Sequence, residues 1–274
     1  MRCLLLAASA GVVFASQAAW GSIVYYYNMR SGANQLNQTT TTNFVGDSIP
    51  IGPGGLPQTF AMDLTPDGTT LYAIEYVSAH NYGTIDLVTG DWTPVGNITG
   101  PELGANVSGL SVDPTTGDWY LVAIEGAGPM LYAGDITTGV FSQVGAIGGA
   151  GFMIDLAIDS QGNAYGHDIG DDMLYSINLG TGLGTPIGST GLNANYAQGM
   201  DFDYADDTLY ATVYTGGGTG VFAWFDLNTG FANVIQDTTP LNAEMEMVVA
   251  TGIPGPASLS LLLLGGLVAR RRRR

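Results

Sequence analysis

Between Gly109 and Gly145 the chain sets short apolar runs against polar punctuation. Leu110-Ser-Val112, Trp119-Tyr-Leu-Val122, Leu131-Tyr-Ala133 and Val140-Phe141 are parted by Asp113-Pro114, Thr116-Gly117 and Thr138-Gly139. Runs rich in Val, Leu, Tyr, Phe and Trp, closed by Asp-Pro or Gly turns, predict β-strands. Four of them in fewer than forty residues leave no room for a crossover helix, so they predict an antiparallel meander.

The pattern repeats. The first strand recurs as Ala61-Met-Asp-Leu64, Gly109-Leu-Ser-Val112, Asp155-Leu-Ala-Ile158, Gly199-Met-Asp-Phe202 and Glu244-Met-Glu-Met247, at steps of 48, 46, 44 and 45 residues. The third strand and its turn recur as Asn28-Met-Arg-Ser-Gly32, Asp86-Leu-Val-Thr-Gly90, Asp135-Ile-Thr-Thr-Gly139, Asn178-Leu-Gly-Thr-Gly182 and Asp226-Leu-Asn-Thr-Gly230. A period of roughly 40–50 residues carrying four strands predicts a β-propeller. Thr39–Thr42 suits an outer edge strand, and Ile49–Gly55, rich in Pro and Gly, reads as a loop. Glu244–Ala250 has no partners downstream, and the N-terminal strands from Ser22 have no first strand upstream. Joining them predicts an all-β, five-bladed β-propeller closed by its N- and C-terminal strands, with that blade the thinnest.

Both ends differ from the body. Arg2, the apolar stretch Cys3–Phe14 and Ser16-Gln-Ala-Ala19 predict a signal peptide over residues 1–19. The propeller is then residues 20–252, and 253–274 form a separate C-terminal module; each end is expected as a short apolar helix. In that module Pro254-Gly255-Pro256 precedes an apolar run, Ala257–Ala269, and five arginines, a basic stop of the kind retained on the cytoplasmic side. The order of signal peptide, body, Pro-x-Pro, apolar segment and Arg cluster resembles the PEP-CTERM sorting-signal family, with Gly255 where that motif carries glutamate. The resemblance implies recognition by an exosortase-type processing enzyme, transient membrane tethering through the terminal segments alone, and delivery to the cell envelope, surface or extracellular matrix. It implies nothing about what the body does.

Charge narrows the partners. Hydrophobic residues make up 46% of the chain and charged ones only 11%. Six of the seven basic residues lie in the two ends, so the body keeps Arg30 against 24 acidic residues, a charge of −23. Such a surface repels nucleic acid and anionic lipid headgroups and suits cations, cationic partners or a saline medium. The lone cysteine, Cys3, lies in the leader, so the body has no disulfide.

Candidate chemistry follows from the inner strands, which line a propeller's channel. Their third positions are Asp63, Ser111, Ala157, Asp201 and Glu246. Asp63, Asp201 and Glu246 could converge on a hard cation such as Ca²⁺, serve as an acid/base pair for glycoside cleavage, or simply cap backbone N–H groups. The acidic turns Asp168/Asp171/Asp172 and Asp203/Asp206/Asp207 lack EF-hand spacing, and His80 and His167 have no ligand-spaced partner. The body is therefore expected to be a non-catalytic binding or scaffolding module without a cofactor, possible partners being extracellular polysaccharide or surface proteins. The alternative is a secreted carbohydrate-active enzyme, a glycosidase or lyase, using channel carboxylates.

Overall fold

The computed structural model describes residues 21–29, 34–75, 80–102, 105–196, 198–242 and 244–250. The chain runs through β1 (Ile23–Asn28), β2 (Leu36–Thr40) and β3 (Ile49–Ile51). Then come β4 (Thr59–Leu64), β5 (Leu71–Glu75), β6 (Asn81–Ile85) and β7 (Trp92–Asn97). The third group is β8 (Asn106–Val112), β9 (Trp119–Glu125), β10 (Gly128–Asp135) and β11 (Val140–Ala146). The fourth is β12 (Met153–Ile158), β13 (Ala164–Asp168), β14 (Met173–Ile177) and β15 (Gly184–Ser189). Last are β16 (Gly199–Asp203), β17 (Thr208–Gly216), β18 (Thr219–Phe225), β19 (Ala232–Asp237) and β20 (Met245–Ala250). They pair as five four-stranded antiparallel sheets, β4–β7, β8–β11, β12–β15, β16–β19 and β20-β1-β2-β3. This is a five-bladed propeller.

Closure is as expected, with Val249 opposite Val24 and Val248 opposite Tyr25. The details of that blade are not. Asn28 ends β1, the second strand of its blade, so the Asn28–Gly32 stretch is no copy of the third-strand turns. The Thr-rich stretch supplies a third strand, and Ile49–Ile51 is a short fourth strand where a loop was expected, so the blade has as many strands as the others. The expected terminal helices, the Pro254–Pro256 motif and Arg30 lie outside the described residues. Among the described residues the one helical element is a 3-10 turn, Thr239–Leu241, and no helix is long and apolar enough to cross a membrane.

Four third-strand turns share one design. The N–H of Gly90, Gly139, Gly182 and Gly230 donates to the carbonyl four residues back, at 2.7–2.9 Å, and each glycine has φ between 70° and 78°. The opening Asp or Asn folds back on the turn, as where Asp226 Oδ1 accepts the Asn228 N–H at 2.8 Å. The same turns abut the fourth strand of the preceding blade. A Cβ on Gly188 would lie 2.1 Å from the Thr229 carbonyl, and one on Gly145 would lie 2.3 Å from that of Thr181. Backbone meets backbone there, and only glycine fits.

The core is distributed over the seams between blades. Leu121 and Ile74 belong to one cluster, Leu71 and Tyr27 to another, and Tyr175 and Val122 to a third. At the closing seam the rings of Tyr210, Phe222, Phe44 and Tyr26 stack in series, with centroids 5.4, 4.4 and 5.2 Å apart. Such offset aromatic contacts add about 0.5–1.5 kcal/mol per pair beyond burial.

Candidate functional site: the axial channel and its mouth

Each inner strand is an edge strand, paired on one side only, and its remaining N–H groups need acceptors. Carboxylates supply them. Asp63 Oδ1 accepts the Leu64 N–H (2.6 Å), and its Oδ2 accepts the Val112 N–H of the next blade (2.8 Å). Asp201 treats Phe202 and Val249 in the same way, both at 2.7 Å. Asp155 takes the N–H of Leu156 (2.7 Å) and of Met200 (2.5 Å). Between the third and fourth groups of strands a hydroxyl makes the link, Ser108 Oγ donating to the Met153 carbonyl at 2.8 Å. These side chains stitch successive blades around the axis.

The stitching also fixes the true register. Val249 stands to Asp201 as Val112 stands to Asp63, so Glu246 aligns with Asp155 and not with Asp63 and Asp201. The last repeat step is therefore 47 residues, two more than the sequence alignment placed it. Carboxyls occupy two tiers: Asp155 and Glu246 among Ala61, Gly109 and Gly199, then Asp63 and Asp201 with Ser111 one step further along. Gly109 and Gly199 are small for a reason, since a Cβ on either would strike the backbone beside Asp155 or Glu246 at 2.8 Å or less. Sequence reasoning brought Asp63, Asp201 and Glu246 together, and all three do interact, but it set Glu246 level with the two aspartates where it stands level with Asp155, which it passed over.

All four acids are at most 5% exposed. Burial raises the Asp63 carboxyl to about 7, against the pull of its two backbone donors. Burial likewise holds Asp155, Asp201 and Glu246 well above the usual range, and their negative neighbours push the same way. No Lys or Arg occurs among the described residues to offset them. The cluster therefore keeps protons at pH values where exposed carboxyls have lost theirs. Glu246 Oε2 and Ser111 Oγ are buried without a hydrogen-bond partner. The Met62 N–H favours the charged form of Glu246, and Ser111 does so weakly for Asp63 without completing a bond of good geometry. Among the described residues no three His, Cys, Asp or Glu side chains are grouped to hold a metal ion.

The other acidic stretches are turn caps. Asp168 accepts the Phe152 and Gly170 N–H groups at 2.7 Å, Asp171 the Tyr175 hydroxyl at 2.6 Å, and Asp172 the Ala194 N–H at 2.8 Å. Asp203 and Asp206 accept the Ala205 and Thr208 N–H groups, and Asp207 bridges to Ser160. The two histidines lie apart. His80 Nε2 meets the Ala105 carbonyl at 2.8 Å; burial lowers His167 to about 4, so its ring is neutral against Phe225.

At the end of the channel where the inner strands begin lies a cavity of about 230 Å³. Phe60, Asn106, Ser108, Phe152, Ile154 and Tyr196 line it, from four consecutive blade positions. Three of these exist by one device. The pairing of β4, β8 and β12 with the next strand slips by a residue at the same level, and the extra residues are Phe60, Ser108 and Ile154. Such bulges re-aim a side chain that regular pleating would send elsewhere. β16 carries no such slip; the blade is served instead by Tyr196, 64% exposed and held at φ 50°. A positive φ on a bulky residue is a local cost that the surrounding structure must sustain.

No protein-family model matches the chain, and no curated protein matches it in sequence. Solved structures do resemble it. One is from a nidogen/laminin complex, 11% identical with a TM-score of 0.58, covering 84% of this chain and 98% of that one. Another is TolB from Acinetobacter baumannii, 15% identical with a TM-score of 0.52, covering 79% of this chain and 53% of the TolB chain. This chain thus matches about half of TolB. The likeness is one of fold alone.

Proposed function

We propose that this chain is an exported, non-catalytic binding module, sorted by its Pro254-Gly255-Pro256 segment and presenting the channel mouth to a partner at the cell surface or in the matrix. The observation that carries the binding role is the mouth itself: bulges in three blades and a strained tyrosine in a fourth converge on one cavity. The burial of the axial acids supports a non-catalytic body. A glycosidase needs two carboxyls flanking a bond in an accessible cleft, whereas here they are spent on blade-to-blade hydrogen bonds. The export and sorting reading rests on the order of the terminal segments, and exosortase-type processing is its mechanism. Mass spectrometry of the protein from its native producer tests it. The expected product lacks residues 1–19 and ends near Pro254–Pro256; chains in the medium that still end at Arg274 would overturn it.

A further inference from the structure

The chemistry of the mouth cavity narrows its occupant, if the binding reading above holds. Phe60, Phe152 and Tyr196 give it aromatic walls from separate blades. Asn106 stands among them, with no hydrogen bond tying its side-chain amide among the described residues, and Ser108 keeps acceptor capacity because its hydroxyl proton is given to the Met153 carbonyl. The lining is thus apolar on its faces and polar at one side. A purely apolar occupant would leave the Asn106 amide desolvated and unpaired, which costs free energy. Charge removes another class. The described residues hold no Lys or Arg to pair with an anion, and Glu75 and Glu125 end the strands that pair with the inner strands of the cavity, so the local field disfavours an anionic ligand. What remains is a small, uncharged, amphipathic ring: apolar C–H faces to stack on aromatics and hydroxyls at its edge for an amide and a hydroxyl. We infer that the mouth of the channel binds a neutral sugar residue of a glycan, with Tyr196 and Phe152 as stacking platforms and Asn106 as the polar anchor.

The test is direct binding to an immobilised panel of neutral and uronic-acid oligosaccharides, with protein purified from its native producer. Retention on at least one neutral glycan and none on its uronic-acid counterpart is expected. Tyr196→Ala and Phe152→Ala should each weaken binding by about tenfold, one stacking contact's worth. Asn106→Ala should weaken it too, while Asn106→Gln restores part of the loss. Thermal midpoints should not move for Tyr196→Ala, whose side chain is mostly exposed. Binding to no neutral glycan, or binding indifferent to Tyr196→Ala, would overturn the inference. A random peptide library run in parallel separates the two claims. Peptides captured by the wild type and lost in Tyr196→Ala would sink the sugar and keep the binding module; capture of neither class would sink both.

Discussion

Raising the pH should loosen this protein, and Asp63 sets the scale. Its unfolded carboxyl titrates near 3.8 and its folded one near 7. Its contribution is therefore complete below the lower value and is lost as pH rises through the upper one. At about 1.36 kcal/mol per unit, the shift corresponds to an upper bound of about 4 kcal/mol. A typical domain has roughly 5–15 kcal/mol in all. Asp155, Asp201 and Glu246 are shifted in the same direction. His167 works the other way, lowered from 6.5 to about 4, but its effect is complete above 6.5. The window from about pH 6.5 to 9 thus isolates the buried acids, since ordinary carboxyls are already charged there and ordinary tyrosines are not. Urea midpoints should fall steadily across it. Asp63→Asn removes one ionisation while leaving one of two donors, the Leu64 or the Val112 N–H, without its oxygen. The variant should be less stable than wild type at pH 5 by about 1–3 kcal/mol and should lose stability less steeply above pH 6.5. A flat or rising wild-type midpoint, or an Asp63→Asn slope equal to wild type, refutes the reasoning.

Other outcomes follow from packing and charge. Phe222→Ala, at 0% exposure between Phe44 and Tyr210, should cost about 3–5 kcal/mol in urea unfolding, because it empties the closing seam. Gly188→Ala should cost about 1–3 kcal/mol by driving Cβ into the Thr229 carbonyl, whereas Gly126→Ala, with nothing within 4 Å, should leave the midpoint within about 0.5 kcal/mol of wild type. The purified body should pass through DNA and RNA columns at low salt, since phosphate attraction needs several basic contacts; retention would show that the charge argument fails.

The architecture was legible in the sequence because two motifs of different strands repeat with one period, and a propeller's closure is the only way to complete the odd strand at each end. The errors came where the pattern is degenerate. In Glu244-Met-Glu-Met247 a slip of two residues puts the same residue types on the same faces, so alternation cannot choose the register. A fuller signal was present in the second strands. Tyr25, Tyr72, Tyr120, Tyr165 and Tyr210 pair with Val248, Asp63, Ser111, Ala157 and Asp201, and aligning them would have placed Glu246 beside Asp155. The mouth cavity was beyond such reading. A bulge is one extra residue among others of the same kind, and nothing in Thr59-Phe60-Ala61 or Met153-Ile154-Asp155 says which one leaves the ladder. Tyr196 owes its place to a loop conformation, which composition does not encode.

The pairing of β1 with β20 sets the orientation of the whole body. Inner strands of a propeller run the same way along its axis, and the cavity lies where they begin. Ala250, the last residue of β20, is therefore at the opposite face, and Ile23 is paired to it there. The body is entered and left through a single point on its back. A tether at either end, such as the proposed sorting route would supply, therefore leaves the aromatic mouth on the far side of the body, turned outward like a lamp on its cord.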